Sequence, residues 1–262
     1  STPPRQTARE AGSDAFWTDK KMVSVEGIFG SIPRYCVAAE FVGVLLFAFI
    51  GGGCGVNSSS TGLATAALGN GLCLAVLTYA TAGVSGGHLN PAVSTAFVIT
   101  GRLGKQRYLL YIAAQFLGGI VGAFMLKLAL PPALLATPFT TSGSMTSAHP
   151  VQVFLLEFIC TFVLVLTVFA CAVDKSGAAK NATPLAIGLS VVAGIFVEGP
   201  YTGGSMNPAR TFGAAFAFWD FGHFFIYLFA TISGGAFAGL LYDKVFLEDV
   251  QPAEAEDRDE ED

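Results

Sequence analysis

Ser85-Gly86-Gly87-His88-Leu89-Asn90-Pro91-Ala92 returns 117 residues later as Thr202-Gly203-Gly204-Ser205-Met206-Asn207-Pro208-Ala209. The same offset, without a gap, pairs Glu40-Phe41 with Glu157-Phe158 and Gly71-Leu72 with Gly188-Leu189. It also pairs Gly118 and Gly122 with Gly235 and Gly239. Self-similarity of this kind means that one unit is used twice. The copies run from about 33 to 130 and from about 150 to 246, between an N-terminal tail (1–32) and an acidic C-terminal tail (247–262). A single Asn-Pro-Ala carries little information. Two of them, each behind a Gly-Gly pair and each 50 residues after a Glu in an apolar run, constrain the fold strongly.

The solvent for that fold is lipid. Hydrophobic residues make up 53% of the chain, charged residues 13%, and mean hydropathy is +0.60. Soluble domains carry about twice that charged share. A helical span needs about 20 mostly apolar residues, and six stretches qualify: 34–53, 61–82, 107–129, 151–172, 184–199 and 223–245. Twelve of the fourteen Lys and Arg fall in the tails and in loops that six spans place on one face; loops 54–60 and 131–150 carry none. The positive-inside rule then puts both termini in the cytoplasm. The first 30 residues contain no apolar signal core, so span one is expected to direct insertion. The net charge of −5 comes largely from Glu254–Asp262, which reads as a solvated run. The five cysteines have neither metal nor disulfide spacing and read as small packing residues.

Three spans per copy is an odd number, so the second copy enters the bilayer from the opposite side. Inverted halves place their shared site at the midplane. Each motif sits in a stretch too short to cross. Gly86-Gly87 and Gly203-Gly204 let the backbone turn, Asn90 and Asn207 are placed as N-caps, and Pro91 and Pro208 suit a first helical turn. Residues 91–100 and 208–218 therefore read as re-entrant half-helices whose N-termini meet near the centre. The expected architecture is all-α, with six transmembrane helices and two re-entrant half-helices in an inverted repeat. Each N-terminus carries about half a positive charge, which opposes cations and protons at the meeting point. The Asn90 and Asn207 amides can donate to a neutral molecule, and the backbone of Gly86, Gly87, His88 and Gly203 offers carbonyl acceptors along the approach.

Single residues have two readings each. Arg210 follows the second motif and either lines the pore or binds loop carbonyls; Val93 holds its place in the first copy. Asn70 either faces the cavity or makes a helix–helix hydrogen bond. Glu40 and Glu157 could relay protons, but their symmetry favours holding the half-helix loops through N–H groups. Glu198 sits near the end of span five. Gly118, Gly122, Gly235 and Gly239 form small-xxx-small faces for close helix packing.

The doubled Asn-Pro-Ala, the inverted repeat, the two glutamates and Asn207-Pro208-Ala209-Arg210 resemble the major intrinsic proteins, the aquaporins, over about 34–246. The resemblance makes Asn90, Pro91, Ala92, Asn207, Pro208 and Ala209 the pore constriction. It places an outer selectivity filter at Asn70, Ile195, Gly204 and Arg210. Strict water channels of that family have an aromatic residue and a His where this chain has Asn70 and Ile195. Ile195 and Gly204 are similar to the plant tonoplast branch, although that branch has His where Asn70 stands. Thr211 and Ala215 look water-type, Tyr227 fits either class, and Leu228 replaces the Trp of water channels. The implied function is a passive channel for water, and for glycerol, urea and ammonia through a wider filter. The implied assembly is a homotetramer with one pore per subunit, in a vacuolar or plasma membrane.

A secondary transporter could use the same inverted architecture, but it would need coupling carboxylates near the site. The short external loops give an adhesion protein little surface. No nucleophile–base set or metal-ligand cluster suggests an enzyme, and nothing implies a cofactor or a nucleic-acid partner.

Overall fold

The computed structural model describes residues 32–136 and 148–247; the expectations for the two tails and for most of loop 131–150 lie outside these residues. Eight α-helices are present among them: α1 (Arg34–Thr61), α2 (Leu63–Ser85), α3 (Pro91–Ile99), α4 (Lys105–Ala129), α5 (Pro150–Val168), α6 (Thr183–Thr202), α7 (Pro208–Phe218) and α8 (Phe224–Leu241). Six are long and apolar enough to cross a membrane, while α3 and α7 have 9 and 11 residues. At 1.5 Å per residue, α3 is only about 14 Å long, half a bilayer core. Large apolar side chains such as Val76, Leu109, Leu128, Phe225 and Phe229 are well exposed around the barrel. In water such a surface would aggregate; in lipid it is the favourable face.

The two copies interlock. α2 packs on α6, α3 packs on α8, and α7 packs on α4, so each half-helix docks on the third span of the other copy. Gly71 and Gly188, repeat mates, sit where α2 crosses α6. A Cβ on Gly71 would come within 2.5 Å of the Gly188 carbonyl oxygen, and one on Gly188 would strike the Gly71 carbonyl oxygen. Only hydrogen fits at that crossing.

Two sequence expectations change. The loop at 54–60 is helical, because α1 runs on to Thr61. Ser58, Ser59, Ser60 and Thr61 return their hydroxyls to carbonyls three or four residues back, so these polar side chains are satisfied within the helix, which runs on until Gly62 ends it at φ 90°. The ungapped offset also fails in the last span. A Cβ on Gly118 would meet the Phe41 carbonyl and one on Gly119 the Ala209 carbonyl; the same clashes, with Phe158 and Ala92, belong to Gly234 and Gly235. Tyr111 donates to the Ser85 carbonyl at 2.6 Å, and its counterpart Tyr227 donates to the Thr202 carbonyl at 2.7 Å. The spacing here is 116, so one residue is missing between α7 and α8 relative to the first copy. Gly118 therefore does not correspond to Gly235: Gly118 and Gly122 pack on α1, whereas Gly235 and Gly239 pack on α3.

Candidate functional site

The loops that carry the motifs are built to one backbone pattern. α2 ends at Gly86 (φ 94°), and Gly87 (61°) and Leu89 (48°) follow with positive φ before Asn90 begins α3. α6 ends at Gly203 (φ 82°), followed by Gly204 (67°) and Met206 (48°) before Asn207 begins α7. Left-handed backbone at a bulky residue costs about 1–2 kcal/mol. Leu89 and Met206, both fully buried, hold it because both ends of their peptide groups are occupied.

On the N–H side stand the buried glutamates. Glu40 Oε1 accepts from the His88 N–H (3.0 Å) and the Ser85 hydroxyl (2.6 Å). Its Oε2 accepts from the Leu89 N–H (2.7 Å) and the Gln115 amide (2.8 Å). Glu157 accepts from the N–H groups of Ser205 (3.0 Å) and Met206 (2.9 Å). On the carbonyl side stand the asparagines of the opposite copy. Asn90 Nδ2 donates to the Met206 carbonyl at 2.7 Å, and Asn207 Nδ2 donates to the Leu89 carbonyl at 2.9 Å. The half-helices are thus tied tip to tip by a reciprocal pair of hydrogen bonds. Each asparagine also caps its own helix: Asn90 Oδ1 accepts from Ala92 N (2.9 Å), and Asn207 Oδ1 from Ala209 N (3.0 Å) and Arg210 N (3.3 Å). That leaves each carboxamide one N–H with no acceptor in the protein. Pro91 and Pro208 occupy the first helical position, and Ala92 and Ala209, both fully buried, pack beneath the tips.

His88 sits beside the first tip, Nδ1 at 3.1 Å from the Ser94 hydroxyl and its ring 4.4 Å from that of Phe97. Ser205 and Thr211 form the corresponding hydroxyl pair in the second copy. A narrow cavity opens on the first-motif side and reaches Gly86, Gly87, His88 and Asn90.

The four filter positions of the family pattern lie elsewhere. Ile195 and Gly204 touch: a Cβ on Gly204 would come within 2.8 Å of Ile195 Cγ1, so glycine sets the space between them. Arg210 is buried in the first turn of α7, with Glu157 and Glu198 as its electrostatic neighbours. Its Nε and Nη1 have no hydrogen-bond partner, so those atoms do not clamp loop carbonyls. Asn70 departs from the expectation that its amide serves the cavity. Nδ2 donates to the Gly51 carbonyl of α1 (3.2 Å) and the Ala66 carbonyl (2.8 Å), and Oδ1 lies tight against Gly51 without a partner. One N–H ties α2 to α1 and the other returns to its own helix, so neither is turned to the cavity.

Several residues escaped the sequence reading. Leu89 and Met206 gave no signal beyond being the apolar pair between His88 or Ser205 and the asparagine. Gln115 and Tyr111 lie on the third span of the first copy, and the one-residue slip hides the match of Tyr111 with Tyr227, a residue the sequence marked for another reason. Glu198 is fully buried within α6, and neither of its oxygens has a hydrogen-bond partner.

A family model described as "Major intrinsic protein" matches residues 32–242. Human Aquaporin-4 is 37% identical over 238 residues, covering 88% of this chain and 73% of that protein. Aquaporin TIP2-1 of Arabidopsis thaliana is 38% identical over 226 residues, covering 80% and 86% respectively. Among solved structures, the X-ray structure of the aquaglyceroporin from Plasmodium falciparum superposes with a TM-score of 0.72 at 25% identity, covering 82% of this chain and 97% of that one.

Proposed function

The chain belongs to the major intrinsic protein family and is a passive membrane channel for water and small neutral solutes; from that premise we propose that its conducting path runs between the tips of α3 and α7, past the carboxamides of Asn90 and Asn207. The observation that carries this reading is the reciprocal tie between the tips, because it leaves one amide N–H on each side of a common point. A water molecule there accepts from both asparagines, so its own hydrogens point outward along the pore. It cannot then accept a proton from a neighbour in the file, and proton hopping stops at that molecule. The two helix N-termini, each equivalent to about half a positive charge, raise the barrier to any cation at the same place.

The carbonyls of Gly86, Gly87, His88 and Gly203 act as acceptors on the approaches. Glu40 and Glu157 keep the loops in their left-handed conformation and are occupied in doing so, which leaves them unavailable as coupling carboxylates. Asn70, Ile195, Gly204 and Arg210 form the outer filter. With no aromatic ring and no His in it, Arg210 is the polar pole, Ile195 the apolar wall, and Asn70 a small residue that leaves space. That width extends the solutes to glycerol, urea and ammonia. The channel unit spans 33–246, the basic loops face the cytoplasm with both termini, and the protein assembles as a homotetramer in a vacuolar or plasma membrane.

Stopped-flow light scattering on proteoliposomes tests this directly. A sucrose step should produce fast shrinkage with a shallow temperature dependence, and glycerol or urea steps should be followed by re-swelling. Water flow no faster than in protein-free vesicles, or a flux that saturates and follows a proton gradient, would refute it.

A further inference from the structure

An inverted repeat gives every pore-facing residue a mate on the opposite side of the bilayer. Shifted by 117, the outer-filter positions Ile195, Gly204, Arg210 and Asn70 fall on Thr78, Gly87, Val93 and Ile187. All four mates line the cavity on the first-motif side. Three of them offer only apolar surface or bare backbone. The fourth, Thr78, brings a hydroxyl that is buried and has no hydrogen-bond partner in the protein.

That hydroxyl is unusual in this molecule. Mid-helix threonines can return their hydroxyl to the carbonyl four residues back, and Thr81, Thr95, Thr167 and Thr231 do so at 2.7–2.8 Å. Thr78 lies mid-helix in α2 and does not. Thr161, the other unpartnered threonine hydroxyl among the described residues, does not line the cavity. A buried hydroxyl left unpaired is destabilising, so a molecule that can hydrogen-bond with it stabilises the site as it passes.

We propose that Thr78, Ile187, Gly87 and Val93 form a second, inner filter in which the Thr78 hydroxyl hydrogen-bonds the permeating molecule. The inference rests on the conducting path proposed above. Where the outer ring has the cation Arg210, the inner ring has Val93, so the inner ring carries no charge. It selects on width and on one hydrogen bond, which suits a small neutral molecule able to donate and accept: water, ammonia or a single polyol hydroxyl.

The test uses the full chain in proteoliposomes, with incorporation measured for each variant. Thr78→Val keeps the shape and removes the hydroxyl; water permeability per channel should fall about three- to tenfold, the factor set by one net hydrogen bond. Thr78→Ser restores the hydroxyl and should stay close to wild type. Thr78→Cys should lose its water flow when treated with methyl methanethiosulfonate, beyond any loss in the wild type with its five cysteines. The inner filter is overturned if Thr78→Val conducts like wild type, if Thr78→Ser falls as far as Thr78→Val, or if the reagent leaves Thr78→Cys untouched. Should Thr78→Val fail to incorporate, the cysteine arm decides. A wild type that conducts no water sinks the conducting path itself, which is a different result from a conducting wild type matched by Thr78→Val.

Discussion

Replacing Glu157 by Gln should damage this protein more than replacing Glu40 by Gln, although the two residues are repeat mates. Glu157 accepts the N–H groups of Ser205 at 3.0 Å and Met206 at 2.9 Å. Gln retains one acceptor and turns an N–H toward the other amide. One charge-assisted bond worth about 1.5–3 kcal/mol disappears, and a buried donor left facing a donor costs about 1–3 kcal/mol more. The substitution also changes one of the two buried carboxyl neighbours of Arg210. The two hydrogen-bond losses together come to about 2.5–6 kcal/mol. Glu40 has a rescuer. Gln115 donates from Nε2 to the Glu40 Oε2 and to the Ser94 hydroxyl, while its own Oε1 has no partner. In Glu40→Gln the Gln115 amide can rotate so that its Oε1 accepts the new N–H and the Ser94 hydroxyl turns to donate to the same oxygen, so the loss reduces to about 1–3 kcal/mol. Thermal unfolding in detergent, with water permeability per incorporated channel, should rank wild type above Glu40→Gln and Glu40→Gln above Glu157→Gln. Equal damage, or a worse Glu40→Gln, would refute the compensation by Gln115.

Three further outcomes follow from the same geometry. Asn207→Asp keeps the cap but loses the donor to the Leu89 carbonyl and puts a negative charge at the converging tips, so vesicles carrying it should leak protons and cations in a dye-acidification assay where wild type does not. Gly71→Ala forces a methyl into the Gly188 backbone at the α2–α6 crossing and should destabilise by about 1–3 kcal/mol or more, whereas Gly55→Ala, with open space around its Cβ, should be neutral or gain up to about 1 kcal/mol of helix propensity, both read by thermal unfolding. Asn70→Phe with Ile195→His should suppress glycerol flux and spare water flux. Equal glycerol flux in that double variant would count against the outer-filter assignment.

Much of this was legible in the sequence because the strongest constraints are local and doubled. Asn before Pro at the start of a short apolar stretch reads as a cap wherever it occurs, and the repeat turned one weak motif into two. Lipid made the spans easy to find, since each needs a long apolar run. What stayed hidden depends on relations between distant residues. That Asn90 reaches the Met206 carbonyl and Asn207 the Leu89 carbonyl follows from two loops meeting, which no single stretch encodes. Leu89 and Met206 look like ordinary apolar residues, and only the backbone reveals their positive φ. Chance glycine matches at 117 hid the slip to 116 in the last span, because Gly235 and Gly239 exist but face α3. Asn70 was the hardest residue to read: a polar group on a buried helix can face a pore or a neighbouring backbone, and the deciding feature is Gly51, 19 residues away.

The central claim is that the paired tips pass neutral molecules and turn charge away. It is tested most directly by recording water flow and proton flux in the same proteoliposomes, under an osmotic step and then under a pH gradient with valinomycin to release any limiting potential. Fast water flow with proton flux at the level of protein-free vesicles is the predicted result. Proton or cation flux that rises with the amount of wild-type protein incorporated would contradict it.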